Sequence, residues 1–309
     1  MRHTLITTNP PGTSKEYKMR YEGPIYRPPS EADSLLIQAT VGCPHNRCTF
    51  CMVYKNGIKY KVRPVEDIKE DMREAVDEYG EYVRTLFFPA GNTIAMKTDE
   101  LCEICQYAKD LFPNLERITV YGSSQYIAIK GSEGMKKLAQ AGLSRIHVGL
   151  ESGDDEILRL IKKGTDSKQQ IEAGKYVMDA GIELSLYVIL GIGGKERTRQ
   201  HAVETAKVLN QISPDFIRLR TFVPKINTPL LKDVMDGTFV MLGPHEVLRE
   251  TADIIKRLEV KSYLTSDHYT NYINIEGQLP AARERLLQII EAGLRKSENQ
   301  FRAFFVGKQ

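Results

Sequence analysis

The sequence predicts an α/β fold of parallel strands, either a doubly wound sheet or a barrel that need not be complete. Three observations carry that reading. Short β-branched and aliphatic runs recur along the chain, helical patterns separate them, and most runs are too apolar for a sheet with one wet face. The runs are SLLIQATV (34–41), VRTLFF (83–88), RITVY (117–121), RIHVGL (145–150), IELSLYVIL (182–190) and DFIRLR (215–220). Strand, helix and next strand join as a right-handed crossover between parallel neighbours.

Each helix has its own signals. Pro64 suits a first helical position, with Glu66 and Asp67 in the first turn where the helix dipole favours acids. Ile68, Met72, Val76 and Tyr79 then recur at helical spacing. Thr98 is placed to cap the next helix, whose apolar face is Leu101, Ile104, Cys105, Ala108, Leu111 and Phe112. Further helices are expected at 133–141, 154–163, 167–180 and 197–210, with Gly164 and Gly181 as stops. Beyond residue 243, helices at 244–258 and 280–297 flank a polar, aromatic stretch, and 259–279 reads as a loop over the mouth of the sheet. The expected division is an extended arm (1–33), a main α/β body (34–258) and a helical, irregular extension that includes the lid (259–309).

The 309 residues carry 43 Lys and Arg against 40 Asp and Glu, a formal net charge of +3. That length suits two domains or one barrel and supplies a core that folds without disulfides or metal. So small a charge gives no ground for nucleic-acid binding, and no basic tract is visible. No apolar run reaches the ~18 residues of a membrane span, and the polar start MRHTLITTNPPGTSKEYK lacks the apolar middle of a secretory signal. The expectation is a cytoplasmic chain.

Five cysteines are present, and Cys43, Cys48 and Cys51 fall within nine residues. Clustering of this kind indicates metal or redox chemistry rather than a disulfide framework. The three occupy the loop leaving the first strand at about Val41, on the edge where parallel α/β folds bind ligands. Structural zinc takes four protein ligands, for which His45 is the available fourth, though two residues after Cys43 is a short bite. An iron–sulfur cube on three cysteines leaves one iron open for a substrate or cofactor. The open position suits a ligand-binding edge better. Cys102 and Cys105 lie on or beside an apolar helix face and read as core.

The segment Cys43-x4-Cys48-Thr49-Phe50-Cys51 resembles the cluster motif of the radical S-adenosylmethionine (radical SAM) superfamily. Its first gap holds four residues where three are usual, and the second half, with Phe50 at the aromatic position, is intact. Four further segments follow in the order the resemblance implies. Phe87 to Asn92 is similar to the turn that meets the SAM amino group, with Gly91 kept and Ala90 and Asn92 in place of glycine and an acid. Ser123 and Ser124 match a polar group for the SAM ribose or carboxylate. Glu151, and Lys163 twelve residues later, match the polar and basic positions for the cofactor. Gly191 and Gly193 lie in a loop like the one that packs on adenine and ribose.

The resemblance covers about residues 34–225 and is closest to tRNA methylthiotransferases, Elongator-like proteins and oxygen-independent coproporphyrinogen oxidases. It implies a partial (β/α)6 TIM-like barrel, a [4Fe–4S] cluster with SAM on its open iron, and oxygen sensitivity. It further implies an electron donor such as flavodoxin or ferredoxin, and reductive cleavage of SAM to a 5′-deoxyadenosyl radical that abstracts hydrogen from a substrate. A small molecule is the expected substrate. The alternatives are a non-catalytic zinc protein using the same cysteines and a radical SAM enzyme acting on RNA. Arg218 and Arg220 alternate with Leu219 and so share one face, where an anionic partner, a substrate carboxylate or a SAM group, would offset their charge. His268 and Tyr269, in the polar cluster with Asp267, Asn271 and Tyr272, are expected on the substrate side of the lid. The tail residues Phe301, Phe304 and Phe305 are expected to pack back or to meet another subunit.

Overall fold

Strands covered by helices on one side and facing a lumen on the other need two different faces, and the chain supplies both. The computed structural model describes residues 20–55 and 57–308. The first half runs β1 (Leu35–Leu36), β2 (Thr40–Val41), β3 (Lys61–Val62), α1 (Val65–Tyr79), β4 (Thr85–Phe88), α2 (Thr98–Leu111), β5 (Arg117–Gly122) and α3 (Ser124–Gln140). Next come β6 (Leu143–Glu151), α4 (Asp155–Leu160), α5 (Ser167–Asp179), β7 (Glu183–Leu190), α6 (Gly194–Ile212) and β8 (Phe216–Thr221). α7 (Pro229–Met235), α8 (Pro244–Arg257), β9 (Tyr263–Thr265), β10 (Glu276–Gln278) and α9 (Arg283–Leu294) complete it.

The sheet order is β1-β4-β5-β6-β7-β8-β9-β10, parallel throughout except for β10. β1 and β10 are its edges, so the barrel stays open. Ile118, Val120, Ile146, Val148, Leu184, Leu186, Ile217 and Leu219 join the main aliphatic core. Strand alternation therefore turns Thr119, Tyr121, Arg145, His147, Ser185, Tyr187, Arg218 and Arg220 to the concave face. The runs are less uniform than a first reading makes them: one face is aliphatic and the other polar and aromatic.

Several expectations need correction. The run 34–41 is not one strand. After β1 only Ile37 still bonds to β4, through the Phe87 carbonyl at 3.2 Å, and β2 pairs instead with β3. Residues 259–279 are not a plain loop, since β9 extends the parallel sheet and β10 returns along it. Pro64 occupies the N-cap one residue before α1, and Thr98 is the first helical residue of α2, behind Lys97 at the cap. α3 (Ser124–Gln140) is broken at Gly131 (φ 67°): its second part is the helix expected at 133–141, and its first part, from Ser124, is additional. The helix expected at 154–163 is the short α4.

The described part of the arm enters the lumen. A single 3-10 turn, Pro29–Glu31, carries the fully buried Glu31 to Arg117 (3.2 Å), Arg145 (3.5 Å) and His147 (3.2 Å) at the N-terminal end of the strands. The rest of the expected arm, 1–19, lies outside the described residues. The tail packs back: Gly307 bridges to Lys225, Arg302 donates to the Thr270 carbonyl (Nε, 2.8 Å), and Phe305 lies 6.2 Å from the Tyr269 ring. Phe304 is exposed. Among the described residues no helix is long and apolar enough to cross a membrane.

Candidate functional site

Four loops meet at the C-terminal edge of the sheet, and the cysteine loop is the first. Gly42 takes φ 74° as the chain leaves β2, and a Cβ there would lie 3.1 Å from the Lys59 carbonyl, so only glycine suits the turn. Cys43, Cys48 and Cys51 follow as half-buried free thiols. The loop is pinned from both sides. The Asn46 amide donates to the Tyr54 carbonyl at 2.8 Å, and the Thr49 N–H donates to the Ile161 carbonyl at 2.9 Å. His45 Nε2 lies 2.7 Å from the Lys162 carbonyl, with its ring on Gly164, where a Cβ would approach to 2.5 Å. His45 thus fastens the loop to the α4–α5 connection.

The thiols act on one another. Burial pushes Cys48 up to about 11, with Cys51, Glu151 and Cys43 adding to the shift and Lys163 opposing it. Burial likewise raises Cys51, and the Cys43 charge adds to it. A bound cationic group reverses this preference and holds such thiols as thiolates. Among the described residues no three Cys, His, Asp or Glu side chains converge as ligands of a single ion. A cube instead takes each cysteine on a different iron, and three thiols with no fourth protein ligand fit it.

The loop after β4 lies against the cysteines. Ala90 is held at φ 106°, a conformation natural to glycine, the residue the resemblance expects there. The Gly91 N–H donates to the Gly42 carbonyl at 3.1 Å, and a Cβ on Gly91 would stand 2.6 Å from the Tyr54 ring and 2.8 Å from the Cys43 Cβ. Asn92 is buried. Its Nδ2 donates to Ser123 Oγ at 2.8 Å while its Oδ1 is buried without a partner. An orphaned acceptor here suits a donor such as an ammonium. Ser124 is buried at the start of α3.

At the end of β6 a bulge puts Glu151 at φ 65°, and Lys163 Nζ donates to its Oε1 at 2.8 Å. Burial alone would lower Lys163, but Glu151 and Cys48 outweigh it and raise the ammonium. A Cβ on Gly149 would fall 2.9 Å from that Nζ, so the glycine makes room for the pair. After β7, Gly191 (φ 76°) donates its N–H to Glu250 Oε1 at 2.6 Å, and Thr198 donates to Oε2 at 2.5 Å. Burial lifts Glu250 to about 7. Glu250 lies 3.8 Å from His201, whose other ring nitrogen is 2.9 Å from Ser152 Oγ, so the loops after β6 and β7 are tied together beneath the surface. Gly193 packs on Ile157, whose Cδ1 a Cβ would meet at 2.7 Å, and Phe50 joins the apolar cluster of Ile157, Leu158, Ile161, Ile192, Phe222 and Leu230.

Inside the barrel, Phe87, Tyr121, His147 and Tyr187 form a ladder of rings with successive centroids 5.0, 5.9 and 5.8 Å apart. The Arg220 guanidinium stacks on Tyr187 at 4.6 Å, and Arg218 Nε donates to Ser185 Oγ at 3.0 Å. A cavity of about 310 Å³ opens beside them, lined by Arg27, Pro28, Pro29, Ala32, Arg220, Asp267, His268 and Tyr269. Burial, aided by Arg220 and Lys225, holds His268 down at about 4, and its Nδ1 lies 2.8 Å from Thr270 Oγ1. Sequence reasoning missed Tyr54, Tyr187, Glu31 and Glu250. Tyr187 was within reach, because it shares the strand phase of Ser185. Glu31 and Glu250 carry no local signal.

The Radical SAM superfamily profile matches residues 37–209. A biotin synthase from Hydrogenobaculum sp. is 29% identical over 201 residues, 63% of this chain and 57% of that protein. A tRNA-2-methylthio-N(6)-dimethylallyladenosine synthase from Dehalococcoides mccartyi is 26% identical over 240 residues, 75% of this chain and 55% of that protein. The chain thus spans little more than half the length of these two relatives. Methylornithine synthase (PylB) superposes with a TM-score of 0.51 at 15% identity, covering 86% of this chain and 84% of that one, which shows a shared fold. The chain belongs to the radical SAM superfamily and is an enzyme with a [4Fe–4S] cluster and S-adenosylmethionine as its cofactors.

Proposed function

We propose that this enzyme uses one electron to cleave S-adenosylmethionine and abstracts hydrogen from a small-molecule substrate held in the barrel. One juxtaposition carries the reading: three thiols, the Glu151–Lys163 pair and the orphaned Asn92 acceptor share one edge of the sheet. Cys43, Cys48 and Cys51 hold the cluster, and Phe50 anchors their loop in the apolar cluster below. When bound and reduced by a donor such as flavodoxin or ferredoxin, the cluster supplies the electron that releases a 5′-deoxyadenosyl radical from SAM. Asn92 Oδ1 and the backbone carbonyls beside Gly91 accept from the SAM ammonium. Lys163 meets the carboxylate, with Glu151 fixing its direction. Ser123 and Ser124 serve the polar end, and Gly191 and Gly193 let backbone approach the nucleoside. Arg218, Arg220, His268 and Tyr269 face the substrate. The cavity supports a metabolite over an RNA loop, because about 310 Å³ is near the small end of ligand sites.

The test is anaerobic. Reconstituted with iron and sulfide, then given dithionite and SAM, the protein should turn brown and release 5′-deoxyadenosine. Cys48→Ala should abolish both. A colourless protein carrying zinc, or release that persists in the variant, overturns the reading.

A further inference from the structure

Three arginines among the described residues are buried, and two of them are paired: Arg63 meets Asp71 at 2.6 Å and Arg145 meets Glu183 at 2.8 Å. Arg218 is as buried as Arg145, yet among the described residues no carboxylate lies within ion-pair distance of it. Its single hydrogen bond runs from Nε to Ser185, which leaves both Nη groups free. Arg220, two residues along the same face, makes no hydrogen bond among the described residues and rests on the Tyr187 ring. The Tyr187 hydroxyl between them is buried without a partner.

An unpaired guanidinium away from water is costly, and the half-buried Arg220 beside it adds repulsion. The recess where they meet shares Pro29, Arg220, Asp267 and His268 with the cavity described above and is lined besides by Tyr187, Arg218 and Leu219. Arg27 adds a third positive charge to the cavity wall, and Asp267, exposed at the rim, is the one acid there. His268, neutral near pH 7, brings no charge of its own. The wall is therefore positive. Two planar forks and a phenol fit the flat, two-oxygen geometry of a carboxylate.

The recess also points toward the reacting end. From Tyr187 the ring ladder runs through His147 and Tyr121 to Phe87, four residues before Gly91 in the loop after β4. Tyr54 abuts Gly91, which in turn abuts Cys43. An acid anchored by its carboxylate would extend along this ring ladder toward the cysteine edge.

We propose that the substrate is a small organic acid whose carboxylate is gripped by Arg218 and Arg220 over the Tyr187 ring. The assignment rests on the radical SAM reading of the neighbouring edge and names the substrate class for it.

The probes are succinate, its neutral diamide succinamide, and inorganic phosphate, titrated by calorimetry into anaerobically reconstituted enzyme with SAM present. Succinate should bind and succinamide should not, while Arg220→Met and Arg218→Met should each weaken succinate by about tenfold or more. In unmodified enzyme, phenylglyoxal mapped by mass spectrometry should label Arg218 and Arg220 ahead of Arg63 and Arg145, and succinate should protect them. This second measurement decides the matter if a variant fails to fold. Tighter binding of phosphate than of succinate overturns the carboxylate in favour of a phosphate ester. Equal binding of succinate and succinamide, or no protection, overturns the site. Iron content of the same sample separates the two readings: iron-loaded enzyme that ignores succinate sinks this proposal alone, and succinate binding without iron sinks the other.

Discussion

Replacing Glu31 with Gln removes a charge that the lumen is built around. Its carboxylate faces Arg117, Arg145 and His147 and accepts from Ser34 Oγ at 2.7 Å. Burial alone would raise its carboxyl, but the bonds from His147 and Ser34 and the Arg117 charge outweigh burial, bringing it from 4.5 to about 2. At about 1.4 kcal/mol per unit, that depression corresponds to about 3 kcal/mol of stability at neutral pH. Because the folded value is the lower one, the contribution is complete above the ordinary carboxylate value and drains as pH falls toward 2. At about pH 3.5 it is down to about 2 kcal/mol by the same linkage. Gln keeps the volume and leaves Arg117 facing a neutral amide. The variant should therefore lose about 3 kcal/mol in urea unfolding at neutral pH and about 2 at about pH 3.5, followed by far-UV circular dichroism. No loss at neutral pH, or the same loss at both, would refute the reasoning.

Gly91→Ala must move the Tyr54 ring, the Cys43 Cβ and the Gly42 carbonyl, so iron retained after anaerobic reconstitution should drop sharply, with a stability cost of about 1–3 kcal/mol. Ala90→Gly should do the opposite: relief of an unfavourable φ, on the order of 1–3 kcal/mol, exceeds the backbone entropy glycine adds, about 0.4–1, and thermal unfolding should shift upward. Glu250 has its folded value raised to about 7, so its protonated form favours the fold and that benefit is lost as pH rises through 7. Glu250→Gln should flatten this loss, by about 2 kcal/mol between about pH 5 and 8, in paired urea titrations. Phe305→Ala should free the loop bearing Tyr269, read as faster amide exchange at 266–272 with exchange in β6 unchanged.

Where local chemistry decides structure, the sequence was legible. RITVY became β5, Gly181 ended its helix at positive φ while Gly164 lies four residues past the end of α4, and Arg218 and Arg220 share a face because period-2 alternation admits no other outcome. The cysteine loop lies on the expected edge for the same reason. What escaped depends on partners distant in the chain. The run 34–41 breaks where Gln38 exchanges hydrogen bonds with the Glu22 backbone, a contact no propensity encodes. β9 is three residues long and exists because β8 offers it a ladder. Glu31 looks like one more arm acid until strands far downstream surround it. His45 resembled a ligand because its histidine chemistry was visible and its companion, a backbone carbonyl at Lys162, was not.

The way Glu31 and the tail converge on the barrel bears on its biogenesis. Glu31 leaves the ribosome 86 residues before Arg117 and 116 before His147, and Arg302 arrives later still to hold Thr270. The thiol loop is thus synthesised before most of the strands that wall the chamber. Iron and sulfur have their widest access during that interval, so delivery of the cluster to a nascent or partly folded chain should outpace delivery to the finished protein.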